Sequence, residues 1–167
     1  ENMVHRVEKA VQDYYPDEFS WCYGCGRLNE KGHHFRTGWL EEGKFTVTYY
    51  TPRPEHSAVA GFVYGGFIAS LIDCHSTGSA ALAKHRKAGY LLGEGEVPRF
   101  VTGSLHVDYL KPTPQGMPLK AIGRVEEIHP KKWKVYTDVY AGETLCAKGE
   151  VVAVVMPSSF LQKDRNP

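Results

Sequence analysis

A glycine pair followed by one carboxylate is the arrangement in this sequence best suited to chemistry. Gly65 and Gly66 precede a run of apolar and small residues in which Asp73 is the only acid. If that run is a helix, its first backbone N–H groups lack an intrahelical acceptor, and the glycines leave them uncovered. Such N–H groups can polarise a carbonyl, and a carboxylate about two turns further on can take a proton from water. Together they suit attack on a carbonyl.

A purely structural role is the alternative for the same residues. The glycine pair can serve only close packing, and Asp73 can be a solvated or hydrogen-bonded helix residue. A lone carboxylate on an apolar helix is costly to bury unless it is paired. The motif alone therefore leaves both interpretations open.

Cysteine and histidine provide a second candidate site, with ligand types that bind zinc. Cys22 and Cys25 form a Cys-x-x-Cys pair, and His33 and His34 follow. A structural zinc site normally has a second close ligand pair, which is missing here because adjacent histidines do not readily turn to one metal. We therefore expect no metal and no cofactor. Cys74 lacks the histidine partner that a nucleophile requires, and we expect it to be a small packing residue.

Hydrophobic periodicity predicts the elements that position these residues. A short amphipathic helix is expected over about 4–15, and extended segments over 33–40 and 44–51. One long helix should begin at Gly65 and end at about Arg86, with four strands after it. The predicted strands are 99–110, 120–128, 133–140 and 145–155, read as an antiparallel meander. The fold class is therefore α+β, a long central helix wrapped by a curved antiparallel sheet.

Length and charge limit the organisation and the partners. The 167 residues suit one domain over 1–167, ending in a polar tail over about 158–167. Lys and Arg number 20 against 19 Asp and Glu, a net charge of +1, which argues against nucleic acid and anionic membranes as partners. No apolar run approaches the roughly 20 residues of a membrane span. We expect a cytoplasmic protein with a small-molecule partner.

Several short motifs resemble one known family when they are taken together. Tyr64-Gly65-Gly66 and the following Leu71-Ile72-Asp73 are similar to the His-Gly-Gly and Leu-x-Asp signature of hotdog-fold acyl-CoA thioesterases, of the phenylacetic-acid-degradation and human thioesterase-superfamily type. The run from Val101 to Pro112 resembles the strand of that family ending in Tyr-Leu-x-Pro. His56 and the Cys-x-x-Cys-Gly opening agree with some members.

The resemblance implies a hotdog fold, an activity and a set of site residues. It implies hydrolysis of an acyl-CoA thioester to a free acid and coenzyme A, with Asp73 as general base or nucleophile. The backbone N–H of Gly66 would polarise the carbonyl, and the Thr102 hydroxyl would help to position water. His56, Tyr64 and Gly65 would contact substrate. It also implies a homodimer or dimer of dimers, with acyl-CoA between facing subunits.

One departure from the family pattern keeps two other functions open. Tyr64 stands where the family has a histidine before the glycine pair. If this change removes catalysis, the chain is a binding module that holds acyl-CoA or acyl groups without cleaving them. A hotdog dehydratase or hydratase is the other alternative, although the missing histidine weighs against it.

Overall fold

The computed structural model describes residues 6–161, which form one long helix packed against one antiparallel sheet. The elements are β1 (Gly38–Glu41), β2 (Phe45–Tyr50), α1 (Gly65–Lys87), β3 (Phe100–Tyr109), β4 (Leu119–His129), β5 (Lys132–Ala141) and β6 (Thr144–Val155), with 3-10 turns at Val11–Tyr14, Asp17–Phe19 and Ser158–Leu161. This is the α+β hotdog architecture that the sequence predicts. The long helix and β2 to β6 lie where they are expected, within a few residues at their ends, whereas β1 begins only at Gly38 of the extended segment expected over 33–40.

The order of the strands differs from a simple meander. The sheet has six strands in the order β1-β2-β4-β5-β6-β3. Strands β4, β5 and β6 do follow one another as a meander, but β3 pairs antiparallel with β6 and lies at the far edge of the sheet. Periodicity could not reveal this, because it identifies strands without identifying their partners. The long strand that follows α1 is therefore an edge strand.

The central helix is buried along most of its length because it lies across the concave face of the sheet. Ile68, Leu71, Ile72 and Leu82 are each at most 1% exposed and form the middle of the core. Glycines in the sheet allow the helix to approach closely. A Cβ added at Gly149 of β6 would lie 2.3 Å from Cγ2 of Ile72, closer than any real contact.

A polar network fills the core on the side of α1 that faces β2. His75 is completely buried, and its Nδ1 is hydrogen-bonded to the Thr48 hydroxyl at 2.7 Å. Its Nε2 contacts the hydroxyls of Thr46 and Ser79, which are themselves hydrogen-bonded at 2.7 Å. Burial lowers the pKa of His75 to about 3. The imidazole is therefore neutral in the folded protein and does not serve Asp73.

The predicted helix over about 4–15 is not found in the described part of that range. Residues 6–10 have no helical structure, and only Val11–Tyr14 form a short 3-10 turn. The Val11 N–H donates to the Thr37 carbonyl at 2.9 Å, and the Arg36 guanidinium donates to the Val7 carbonyl. These contacts use backbone groups that a helix needs for itself. Val4 and its neighbours up to residue 5 lie outside the described residues, as does the predicted tail beyond residue 161.

The outer edge of β3 is exposed along its whole length. It has no partner strand within residues 6–161, and most of its side chains are exposed on both faces. Leu105 is 41% exposed, and Tyr109 and Leu110 at its end are exposed as well. A long bare edge with apolar side chains is a template for pairing with another chain.

Candidate active site

The glycine pair forms the first turn of α1, as the sequence predicts. Tyr64 is the N-cap residue and has an extended backbone conformation, and its carbonyl accepts the Phe67 N–H at 3.1 Å. The Tyr109 hydroxyl donates to the Gly65 carbonyl at 2.6 Å, which ties the turn to the end of β3. Gly66 is exposed, and its N–H is among those that a helix start leaves without an intrahelical acceptor.

Two aromatic rings explain why both positions are glycine. A Cβ on Gly66 would lie 2.7 Å from Cε2 of Tyr64, so the phenol ring packs directly over this residue. A Cβ on Gly65 would lie 3.2 Å from Cζ of Tyr109. The structure therefore supports close packing for the pair, and it also leaves the helix start open to solvent. Both roles that the motif suggested are compatible with this geometry.

Asp73 lies two turns further along α1 and is hydrogen-bonded to Thr102. The Thr102 hydroxyl, which projects from β3, donates to Oδ1 of Asp73. Burial raises the pKa of the Asp73 carboxyl, and the hydrogen bond from Thr102 opposes this effect. The resemblance implies that the Thr102 hydroxyl positions water, whereas in the structure this hydroxyl contacts the Asp73 carboxylate directly. The second carboxylate oxygen stays available to another proton donor.

Gly66 and Asp73 are too far apart in one subunit to act on the same carbonyl. They are separated by seven residues of continuous helix, about 10 Å along the axis. A carbonyl polarised by the N–H and attacked by water on the carboxylate needs both groups within about 3 Å of the reacting atoms. One chain therefore presents the Gly66 N–H and the Asp73 carboxylate at two different points of its surface.

His56 is buried and holds the loop that precedes α1. Its Nδ1 accepts the Arg53 N–H at 3.0 Å, and its carbonyl accepts the Tyr64 N–H at 3.0 Å. The imidazole stacks on Phe67 with ring centroids 4.4 Å apart. Burial, with a contribution from the Arg53 charge, lowers the pKa of His56. The resemblance implies that His56 contacts substrate, and in the structure its hydrogen bonds anchor the loop.

An aromatic cluster surrounds His56, and sequence patterns did not indicate it. His33 lies at its centre, with its ring centroid 4.9 Å from that of His56 and 5.1 Å from that of Phe67. The other members are Tyr23, Phe35 and Tyr50. Nδ1 of His33 is buried and has no hydrogen-bond partner among the described residues. Only the ring contacts reveal this group, because its members come from four separate segments.

The cysteine pair is joined by a third thiol from the central helix. The sulfur atoms of Cys22, Cys25 and Cys74 all lie within 4.8 Å of one another. Cys74 is buried, as expected, but it faces these thiols and is more than a packing residue. His33 and His34 are elsewhere, since His33 lies in the aromatic cluster and the His34 ring contacts the Asn29 carbonyl. Spacing could not predict a partner 52 positions away from Cys22.

The pKa values of the three thiols are shifted in different directions. Hydrogen bonds from the thiols of Cys25 and Cys74, with backbone N–H groups of the turn, hold the pKa of Cys22 well below its usual range. The hydrogen bond to Cys22, followed by burial, raises the pKa of Cys25 to about 12. The pKa of Cys74 is also raised, first by its contact with Cys22. Cys22 is therefore the first of the three thiols to lose its proton.

Two surface clefts lie away from these residues. One is lined by the N-terminal segment, β1 and the loop after α1, and includes Trp39 and Leu91. The other lies on the outer face of the sheet and includes Arg124 and Tyr136. Neither contains Asp73 or Gly66. Within residues 6–161, no helix is long and apolar enough to cross a membrane.

Comparison with a family model relates this chain to known proteins. The model of the thioesterase superfamily matches residues 60–148, which is more than half of the 167 residues. The match includes the glycine turn, all of α1 and the strands from β3 to β5. None of the curated proteins compared gives a significant match.

Solved structures agree with the family match. A thioesterase superfamily protein from Shewanella loihica is 40% identical, with 86% of this chain and 100% of that chain covered and a TM-score of 0.63. A thioesterase from Haemophilus influenzae is 13% identical, with 80% and 84% covered and a TM-score of 0.60. The PaaI protein of the phenylacetic acid degradation operon of E. coli is 17% identical, with 75% and 81% covered and a TM-score of 0.57. The last two show the fold alone, whereas the family model and the Shewanella protein show that this chain belongs to the thioesterase superfamily.

Proposed function

We propose that this protein hydrolyses acyl-CoA thioesters, with Asp73 as the general base. The observation that carries the proposal is the half-buried Asp73 carboxylate, held by Thr102 on a helix whose start offers free N–H groups. Thioesterase superfamily membership supports the reaction class. Coenzyme A enters as part of the substrate, and water is the second reactant.

Asp73 takes a proton from water while the oxygen of that water attacks the thioester carbon. The Thr102 hydroxyl occupies Oδ1, so Oδ2 accepts the proton. A positioned base of this kind contributes roughly 10²–10⁴-fold. Its raised pKa makes the carboxylate a stronger base than a solvated aspartate. When the carbon–sulfur bond breaks, the proton passes from Asp73 to the departing thiolate of coenzyme A.

The N–H of Gly66 stabilises the negative charge that develops on the carbonyl oxygen. A single donor of this kind is worth about 3 kcal/mol. The helix dipole adds to it because the donor lies at the N-terminus of a long helix. The phenol of Tyr64, which covers Gly66, and the neighbouring Gly65 form the wall that the thioester would contact.

A homodimer, or a dimer of dimers, completes the site. The separation of about 10 Å between Gly66 and Asp73 in one chain means that each carbonyl needs the glycine turn of one subunit and the carboxylate of another. The bare edge of β3 is the surface for this pairing, since it carries Thr102 and has exposed apolar side chains. Acyl-CoA then lies between facing subunits.

The test is release of free thiol from a panel of acyl-CoAs, short, long and aromatic, by wild type and Asp73→Asn. We expect turnover to fall at least ~100-fold in the variant, with little change in KM, because the amide cannot act as a base. Asp138→Asn is the matched control. Asp138 forms a surface ion pair with Lys148, is remote from Asp73 in sequence and lies on β5 rather than on α1, so this variant should retain wild-type turnover.

Equal turnover in wild type and Asp73→Asn would exclude Asp73 as the base. Tight acyl-CoA binding without turnover in either protein would favour the second candidate, a binding module. The position of Tyr64 over Gly66 is the observation that favours this candidate, since the family has histidine there. Turnover gained in Tyr64→His, but not in Tyr64→Phe, would then assign the loss to this residue.

A further inference from the structure

The thiol cluster of Cys22, Cys25 and Cys74 joins the N-terminal segment to the central helix. Cys22 and Cys25 come from the turn before β1, and Cys74 comes from the middle of α1. All three are free thiols, and the sulfurs of Cys22 and Cys74 are 3.9 Å apart. A disulfide requires about 2.05 Å, so these sulfurs are at a non-bonded distance. The proposed hydrolysis uses none of them.

Their spacing suits a tetrahedral metal ion. Zinc–thiolate bonds of about 2.3 Å in tetrahedral geometry place sulfur atoms about 3.8 Å apart. The Cys22–Cys74 separation of 3.9 Å agrees with this value, and no pair in the cluster exceeds 4.8 Å.

The turn that carries the cysteine pair is held rigidly by the backbone. The Gly26 N–H donates to the Cys22 carbonyl at 2.7 Å, and the Phe35 N–H donates to the Gly24 carbonyl at 2.9 Å. A Cβ on Gly24 would lie 2.3 Å from the Cys74 sulfur, and a Cβ on Gly26 would lie 2.4 Å from the Cys22 nitrogen. Both glycines are thus required for the turn to close over the thiol of the helix.

Two groups beside the cluster are suited to a charged centre. The Tyr15 hydroxyl is buried without a hydrogen-bond partner among the described residues, and it interacts electrostatically with all three cysteines. Arg99 lies over the Tyr15 ring at 4.8 Å and also interacts with all three. Three thiolates and one divalent cation carry a net charge of −1, which the Arg99 guanidinium balances. Tyr15 supplies a donor for a ligand or a bound water.

We propose that Cys22, Cys25 and Cys74 bind one zinc ion as three thiolates, with a water molecule in the fourth position. Thiolates favour zinc over hard cations such as magnesium and calcium. Cys22 is the partly exposed member, so the fourth position opens on its side. Bound zinc would fasten the turn at 22–26 to α1, one residue from Asp73. This role is structural and separate from thioester hydrolysis, so either proposal can fail alone.

The first test uses cobalt(II) with the full chain, after metal removal and full reduction. We expect one equivalent to produce a visible band of tetrahedral cobalt and a thiolate-to-cobalt charge-transfer band in the near ultraviolet. One equivalent of zinc should then remove both bands. We also expect zinc to raise the melting temperature, because a metal that binds only the folded state stabilises it.

Single substitutions identify the ligands. Cys22→Ser, at the partly exposed position, and Cys74→Ser should each abolish or strongly weaken the charge-transfer band and the thermal shift. Cys146→Ala is the matched control, because Cys146 is also a buried free thiol but lies on β6 near the Pro112 carbonyl. It should bind cobalt as wild type does. Circular dichroism of each variant shows whether it is folded.

Three results would overturn the proposal. The first is a reduced wild-type protein that gives no stoichiometric cobalt spectrum. The second is a folded Cys22→Ser or Cys74→Ser variant with unchanged binding. The third is a protein that, when isolated without reductant, carries a disulfide within the cluster and after reduction binds no metal. This last result would assign the cysteines to thiol–disulfide chemistry.

Discussion

The Thr102 hydroxyl donates a hydrogen bond to the Asp73 carboxylate and so links the exposed edge strand to the central helix. Hydrogen bonds to charged groups contribute about 1.5–3 kcal/mol. We therefore expect Thr102→Val to lower kcat roughly 10–100-fold through misplacement of Asp73. Thr102→Ser, which keeps the hydroxyl, should retain most of the activity. Steady-state thiol release measures both, and an unimpaired Thr102→Val enzyme would contradict a positioning role.

Oxygen isotopes separate a general base from a nucleophile at Asp73. If Asp73 activates water, a single turnover in ¹⁸O-water places one labelled oxygen in the free acid. If the carboxylate itself attacked the thioester and water then cleaved the mixed anhydride at the Asp73 carbon, that first turnover would deliver an unlabelled oxygen from Asp73. We expect label in the first turnover, because Thr102 occupies Oδ1 and leaves the other oxygen to accept a proton. Mass spectrometry of the released acid gives the answer.

The β3 edge should decide the assembly state. Leu105 is 41% exposed on β3, and a lysine there introduces charge at an edge that is proposed to pair with a second subunit. We expect Leu105→Lys to shift the protein toward monomer in light scattering and to lose thioester hydrolysis at the same time. Ile128→Lys is the control, since Ile128 is 52% exposed on β4 away from that edge. A fully active monomeric Leu105→Lys protein would contradict a shared site.

The aromatic cluster should make stability depend on pH. Burial lowers the pKa of both His33 and His56, so the unfolded chain binds these protons first as pH falls. Stability is therefore complete above the unfolded pKa of about 6.5 and declines below it. His33→Phe also removes a buried nitrogen that has no hydrogen-bond partner within residues 6–161. It should raise the free energy of unfolding and flatten its decline between pH 7.5 and 5.5.

Denaturant unfolding of the reduced, metal-free protein measures this effect. His106→Asn is the control, because His106 is an exposed residue of β3 whose ring contacts only Asp108 within the described residues. A pH dependence that is identical in wild type and His33→Phe would show that the His33 imidazole does not cause it.

Periodicity was sufficient to predict the long helix and most of the strands, and local motifs were sufficient to find the candidate acid. The long helix and the strands follow from apolar spacing, which reports how each segment is buried. Asp73 was visible as the single acid in an apolar helix, and Thr102 entered through the family resemblance. The prediction of an N-terminal helix was wrong because backbone groups of that segment pair with Thr37 and Arg36, which are far away in sequence.

Contacts between distant segments account for what the sequence did not reveal. The position of β3 at the edge depends on its pairing with β6, which no pattern within β3 encodes. Cys74 joins Cys22 and Cys25 only after the turn folds over α1. The aromatic cluster also assembles from separate segments. In each case the residue types were evident, but their neighbours were set by tertiary structure.

The buried hydroxyls around His75 also fix the rotation of the central helix about its own axis. Turning α1 by one residue, about 100°, would carry the imidazole away from Thr46 and Thr48 and leave its buried Nδ1 without the Thr48 hydroxyl as a partner. Each such buried group costs about 1–3 kcal/mol, a penalty that an interface of purely aliphatic side chains would not impose. Apolar residues surround most of the circumference of this helix, so they alone would allow several rotations about its axis. The hydrogen bonds of His75 select one of these rotations, and in that orientation Asp73 faces β3.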